Sequence, residues 1–247
     1  MKNKQEAVLS LIIIIVIFSI FLSVSIKTTP GKEVVKDVRQ IPDNTVNTKV
    51  PAVDSKGNGI MLDLKVEVTP GEGRVFTDIE NLVFWVDTQN SIKTAKDVAE
   101  NLMNINTSNL DFTYTLKAER NATIVGGSSA GATLTIATIA AIKGKTLNES
   151  IIITGSINEN GSIGAVGGIS GKINISKKFG AKLFLLPKGQ EVSEALLEPI
   201  KKCEIIDSKE ICELNYEKIK TIPLEKEMNI TIREVSNISQ VMEYYKL

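Results

Sequence analysis

The 247-residue chain contains no histidine. No Ser-His-Asp triad, Cys-His dyad or histidine-ligated zinc site can be built from it. Acid–base chemistry near neutral pH therefore falls to a carboxylate, a lysine, a tyrosine or a cysteine with a shifted pKa. Cysteine is scarce as well. Cys203 and Cys212 are its two copies, and neither lies in a Cys-x-x-Cys pair, which speaks against a metal or redox centre. In an oxidising compartment the two would close a short disulfide loop; elsewhere they are ordinary thiols. Net charge is zero, from 29 basic and 29 acidic residues, so the positive excess of a general nucleic-acid surface is missing. Asp87-Thr88-Gln89 lacks the glycine of an aspartic-protease loop and has no second copy, and the other acidic pairs read as solvated faces.

What the chain does have begins with "AVLSLIIIIVIFSIFLSVSI", Ala7 to Ile26, 20 residues without a charge. As a helix this run spans roughly 30 Å, the hydrocarbon thickness of a bilayer. Residues 1–26 are therefore expected to be a membrane anchor or a signal segment. Lys2 and Lys4 before the run favour a cytoplasmic N-terminus and an extracellular domain, although Lys27 and Lys32 weaken that bias. Ser23 and Ser25 offer small residues for a signal cleavage site, but the run is longer than a usual signal core. Seven Asn-x-Ser/Thr sequons start at Asn106, Asn121, Asn148, Asn160, Asn174, Asn229 and Asn237, and an exported domain would offer them for glycosylation.

Residues 27–56 are polar and interrupted by Pro30, Pro42 and Pro51, the pattern of a linker or stalk with at most a short strand. Alternation predicts strands over Ile60–Val68 and Phe112–Ala118, with one or two more in "RVFTDIENLVFWVD". Helical spacing predicts a helix over Ser91–Ile105 with Ser91 as its cap. A helix apolar nearly all round follows from Ala130 to Ile142, hence a buried one. Ser150–Ile157 reads as a buried strand, turned by Asn158–Gly161 into Ser162–Val166. The segment "ISGKINISKKFG" reads as a helix ended by Gly180, "AKLFLLP" as a strand, and Glu191–Lys202 as a helix. A strand near Ile230–Val235 and a terminal helix from Ser236 complete the pass. Without strict βαβ alternation the mixture predicts an α+β fold.

"VGGSSAG", Val125 to Gly131, stands where a strand turns into the buried helix. Alone, it is compatible with a plain turn in which Ser128 or Ser129 caps the helix. It is also compatible with an anion site at a helix N-terminus, or with a nucleophilic serine whose neighbouring N–H groups form an oxyanion hole. The last needs a base, and a lysine serves if burial strips its ammonium of water. Lys172 has the required setting: "GAVGGISGK" brings it in on a small, apolar, glycine-rich stretch, whereas Lys177 and Lys178 are plainly solvated.

"GGSSAG", then "TGSINENGSIGAVGGISGKI", then "FGAKLFLLPKGQ" resemble the proteolytic domain of the Lon family in order and in interval. Ser129 precedes Lys172 by 43 residues and Thr154 precedes it by 18. Weaker similarity extends the resemblance over residues 57–247. It implies the ribosomal-protein-S5-domain-2-like α+β fold and a serine peptidase with Ser129 as nucleophile and Lys172 as general base. It also implies that Thr154 orients the lysine and that backbone N–H groups of Gly127, Ser128 and Ala130 bind the oxyanion, with no metal or cofactor. Ser128 stands where the bacterial branch has proline, Gly126 where many members have an acidic residue, and Thr154-Gly155-Ser156 matches the archaeal branch. Asp54 is the candidate for the family's upstream acid. The chain contains no Walker A sequence, so the arrangement resembles stand-alone, membrane-anchored Lon-like proteases that cut peptides or unfolded segments without ATP. The family implies a homo-oligomeric ring, commonly of six. "GGSSAG" also resembles the phosphate loop of the GHMP small-molecule kinases, and a non-catalytic relative that keeps the fold for binding or assembly is a further alternative.

Overall fold

The computed structural model describes residues 36–37, 44–78, 83–118, 124–195, 200–206, 209–215 and 220–247. The expected membrane segment from Ala7 to Ile26 lies outside them. Among the described residues no helix is long and apolar enough to cross a membrane.

Two sheets carry the fold. After the short β1 (Lys36–Asp37), the strands β2 (Asn44–Val53) and β3 (Gly59–Pro70) pair antiparallel along their length, from Asn44 opposite Val68 to Val53 opposite Gly59. Then come β4 (Val75–Asp78), β5 (Val83–Phe84), helix α1 (Val86–Met103), β6 (Ile105–Asn106) and β7 (Leu110–Ala118). The first sheet runs β2-β3-β7-β4, with β4 parallel to β7. Along β3, Leu62, Leu64, Val66 and Val68 are buried while Asp63, Lys65 and Glu67 alternate with them, so one face packs and the other is solvated. On the outer face Lys49 pairs with Asp63 at 2.6 Å.

Next follow β8 (Ile124–Val125), parallel to β5, a single 3-10 turn at Ser128–Ala130, and helix α2 (Gly131–Lys143). Every α2 residue from Gly131 to Ile142 is buried, as its all-round apolar sequence requires. Its threonines survive burial because each hydroxyl is bonded: Thr135 to Gly131 O, Thr138 to Leu134 O, and Thr133 to Ile153 O at 2.9 Å. Tyr114 of the sheet shares a 2.8 Å hydrogen bond with Thr138.

The second sheet is parallel. It is built from β9 (Ile151–Ile153), β12 (Leu183–Pro187) and β17 (Thr231–Val235), with β12 in the centre. Between β9 and β12 come the hairpin β10 (Ser156–Ile157)–β11 (Ile163–Gly164) and helix α3 (Ile169–Lys178). Between β12 and β17 come β13 (Val192–Ala195), β14 (Ile200–Ile206), β15 (Lys209–Asn215), β16 (Lys220–Pro223) and α4 (Leu224–Met228). The terminal α5 (Ile238–Tyr245) is capped by Asn237, whose side chain accepts from Gln240 N. Because β12 is central, both its faces are buried. Leu185 joins the main core around α2, and Phe184 and Leu186 join a second cluster with Ile173, Leu224 and Ile232.

Four expectations change. Residues 44–53, expected in a linker, form the edge strand β2 with Val46 and Val50 in the core. The first long helix begins at Val86, and Ser91 is not its cap but a buried residue whose hydroxyl donates to Asp87 O. Ser150–Ile157 is not one strand; it breaks at Thr154–Gly155. The expected helix over Glu191–Lys202 is absent from the described residues there: β13 pairs antiparallel with β16, and β14 with β15. Cross-strand partners outweigh the helix-forming Glu194, Ala195, Lys201 and Lys202.

Candidate active site

The turn before α2 is held from both ends. On one side, the Gly127 N–H donates to Asp87 Oδ2 at 2.7 Å, and the Thr88 N–H donates to Asp87 Oδ1 at 2.8 Å. Gly127 has φ +100, backbone that side-chain-bearing residues rarely adopt. On the other side, Ser129 O accepts from Gly155 N at 3.0 Å, while Ala132 N returns a bond to Gly155 O at 2.9 Å. The break in the strand thus has a local cause: the Thr154 N–H still donates to Leu185 O of β12 at 3.1 Å, but Gly155 turns both its backbone groups to lace the turn.

Thr154 is fully buried. Its hydroxyl donates to Ser129 O at 3.3 Å and accepts from Lys172 Nζ at 3.3 Å. Lys172 lies on the first turn of α3 and is 2% exposed. This burial needs the glycines around it. A Cβ on Gly171 would stand 2.5 Å from Gly57 O, and one on Gly59 would stand 2.3 Å from Gly171 O. Bare backbone on both sides lets α3 approach the start of β3. Stripped of water, the Lys172 ammonium is destabilised, and its pKa falls from 10.5 to about 8.

The structure therefore joins Lys172, Thr154 and the Ser129 backbone in one hydrogen-bonded chain. The Ser129 side chain is half-buried and makes no hydrogen bond to Lys172; such catalytic contacts commonly close only with substrate bound. Ser128 is exposed and Ala130 buried. The expectation for Gly127 changes: its N–H is committed to Asp87 and does not face an open oxyanion position. Asp54 does not join the site's bonds. Its carboxylate accepts from Lys56 N, Asn58 N and Asn58 Nδ2 within its own loop, and the Asn58 bonds hold its pKa below the ordinary range. A cleft of about 800 Å³ between that loop and α3 is lined by Asp54, Asn58, Met61, Asn174 and Phe179, among others, but by none of Ser129, Thr154 and Lys172.

Sequence reasoning missed Asp87, which it set aside as part of a failed aspartic-protease motif. The signal was available. Thr88, Ser91, Ile92, Ala95, Val98 and Ala99 are buried at helical spacing, and counting the small polar residues as core extends the stripe back to Thr88, which puts the exposed Asp87 at its edge. Beside it, Trp85 and Val86 are 62% and 72% exposed. A Cβ on Gly126 would lie 3.7 Å from Trp85 Cβ.

The sequence profile of the Lon protease (S16) C-terminal proteolytic domain matches residues 56–202, more than half of the chain. The chain belongs to this Lon family. The match includes all of the turn, Thr154 and Lys172. Among similar proteins, the archaeal Lon protease of Archaeoglobus fulgidus is 28% identical over 153 residues, 60% of this chain and 23% of the relative. That of Halobacterium salinarum is 26% identical over 146 residues, 57% of this chain and 20% of the relative. The Lon protease of Fusobacterium nucleatum is 29% identical over 138 residues, 54% and 18% respectively. The Lon-like stretch thus spans about a fifth of these relatives' length.

Proposed function

We propose that the chain is an ATP-independent Lon-like serine endopeptidase in which Ser129 and Lys172 form the catalytic dyad. The observation that carries this reading is the buried Lys172, its pKa drawn to about 8 and its Nζ tied through Thr154 to the serine's own backbone. Near neutral pH an appreciable fraction of Lys172 is uncharged. A neutral amine has one lone pair and two N–H donors; one donor goes to Thr154, leaving the lone pair for the Ser129 hydroxyl.

Ser129 Oγ attacks the scissile carbonyl carbon while Lys172 Nζ takes the hydroxyl proton. The carbonyl oxygen becomes an oxyanion, bound by N–H groups at the start of the 3-10 turn, which have no intrahelical partner. With Gly127 committed to Asp87, this role falls to Ser128, Ser129 and Ala130. Collapse breaks the C–N bond, and the leaving amine takes the proton from Lys172. Water then attacks the acyl-enzyme, giving its proton to Lys172. The second collapse returns a proton to Ser129 Oγ and releases the carboxylate product. Thr154 keeps the lysine aimed throughout. The kinase alternative gives the Lys172–Thr154 pair no work.

The substrate is a peptide or an unfolded protein segment. The run from Ala7 to Ile26 supports a single-pass anchor with an extracellular protease domain, and the family supports a homo-oligomeric ring.

The test is acylation by a serine-reactive probe, together with peptide hydrolysis without ATP. Ser129→Ala abolishes both, and Lys172→Arg nearly does, because a guanidinium keeps its proton. The acid limb of kcat/KM lies near pH 8. Undiminished hydrolysis by folded Lys172→Arg protein refutes the dyad; probe-inert wild-type protein favours the non-catalytic alternative.

A further inference from the structure

The turn from Gly126 to Ala130 has no ionisable side chain of its own. Its charged contact comes from 40 residues away in sequence, in the first turn of α1. Both Asp87 oxygens are used: Oδ1 accepts from the helix's own Thr88 N–H, and Oδ2 accepts from the Gly127 N–H. The second bond, at 2.7 Å, has the short length of a charge-assisted contact. A second link runs parallel to it, from Thr88 Oγ1 to Gly127 O at 3.4 Å.

We infer that Asp87 is a positioning residue for the Ser129 nucleophile, acting through the Gly127 N–H. The inference rests on the reading of Ser129 given above. At φ +100 Gly127 takes backbone that glycine adopts freely, so the turn does not hold itself and its position depends on the bonds made to it. Thr154 and Gly155 fix the turn at Ser129 O. Asp87 fixes it two residues earlier. With both anchors in place the Ser129 Cα cannot swing about either one, so its Oγ keeps one position relative to the Lys172–Thr154 pair. With the Asp87 anchor gone, the chain before Ser129 pivots about the Thr154–Gly155 bonds. A displacement of about 1 Å at a nucleophile is worth on the order of 100-fold in rate.

Asparagine is the informative substitution. Its one acceptor oxygen can serve Gly127 or Thr88 but not both, whereas alanine serves neither. In the full-length chain, the concentration of working sites is titrated with the acylating probe, and kcat and KM for a peptide are expressed per titrated site. Asp87→Ala is expected to lower kcat per site by about 10- to 100-fold, with KM changing by less than about threefold; Asp87→Asn is expected to fall between it and wild type. A merely structural role reduces the number of titratable sites and the melting temperature but leaves kcat per site untouched. Unchanged kcat per site in Asp87→Ala therefore overturns the inference, and where that variant does not fold the same result in Asp87→Ser, whose hydroxyl is one bond too short for the Gly127 N–H, overturns it. Ser129→Ala in the same series separates the two readings. If it retains hydrolysis, the nucleophile assignment is wrong; if it is inert while the Asp87 variants turn over normally, only the Asp87 role is.

Discussion

Replacing Lys172 by methionine should destroy activity and make the protein more stable. Lys172 is 2% exposed, and burial lowers its pKa from 10.5 to about 8. At neutral pH the folded state therefore holds much of a charge that the unfolded chain carries at less cost. At about 1.4 kcal/mol per tenfold change in proton affinity, the penalty below pH 8 is roughly 3 kcal/mol. Methionine has similar length, no charge and enough flexibility to occupy the same slot. It loses the bond to Thr154, worth about 1 kcal/mol, while Thr154 keeps its bond to Ser129 O. The net gain is about 2 kcal/mol, or roughly 4–8 °C in melting temperature for a domain of this size. The sign of the pH dependence follows from the depressed pKa. The unfolded state binds more protons between about pH 8 and 10.5, so wild-type stability from this group recovers as pH rises through that window. The advantage of Lys172→Met is thus full below pH 8 and gone above about 10.5. Tyr114 and Tyr245, whose hydroxyl pKa values burial drives far up, weaken both proteins equally at high pH and cancel in the difference. Urea unfolding of both proteins at about pH 6.5 and about pH 10 measures the gap. A methionine variant no more stable at the lower pH, or a gap that does not shrink at the higher one, refutes the reasoning.

Thr154→Val removes the hydroxyl between Lys172 and the Ser129 carbonyl, and should lower kcat by about 10- to 100-fold. Thr154→Ser keeps the hydroxyl and should retain most activity in the same peptide assay. A Cβ on Gly131 would stand 2.7 Å from the Ile157 amide nitrogen, so Gly131→Ala should cost about 1–3 kcal/mol in urea unfolding. Gly126→Ala meets nothing closer than 3.7 Å and should stay within about 0.5 kcal/mol of wild type. Cys203 and Cys212 are directly opposite in the β14–β15 pairing. If the domain is exported, mass analysis of protein purified without reductant should find no free thiol, and reduction should cost at most about 2–3 kcal/mol.

The residues of the site were legible because their neighbours are glycines at fixed intervals. A turn that commits its backbone to a partner, and a helix that must approach a strand closely, both leave that mark in sequence. The strand β3 was legible for another reason: its one-sided burial forces strict alternation. Its partner β2 was not. On the sheet's edge it tolerates Pro51 and a polar outer row, and so resembles a linker. The segment from Glu191 was read as helix because pairing with residues beyond Lys209 decides its conformation, and no local pattern reports that. Asp87 stayed hidden because its bonding partner is an amide 40 residues away.

Trp85 is the chain's single tryptophan, and it stands beside Gly126 with much of its ring in water. It lies two residues before Asp87, and its carbonyl accepts from Gln89 N. Any movement of the serine turn, or arrival of a peptide over it, therefore changes the surroundings of one indole with no other indole to dilute the signal. The protein carries its own fluorophore at the start of the serine turn, so movements of that turn can be followed by emission without a label.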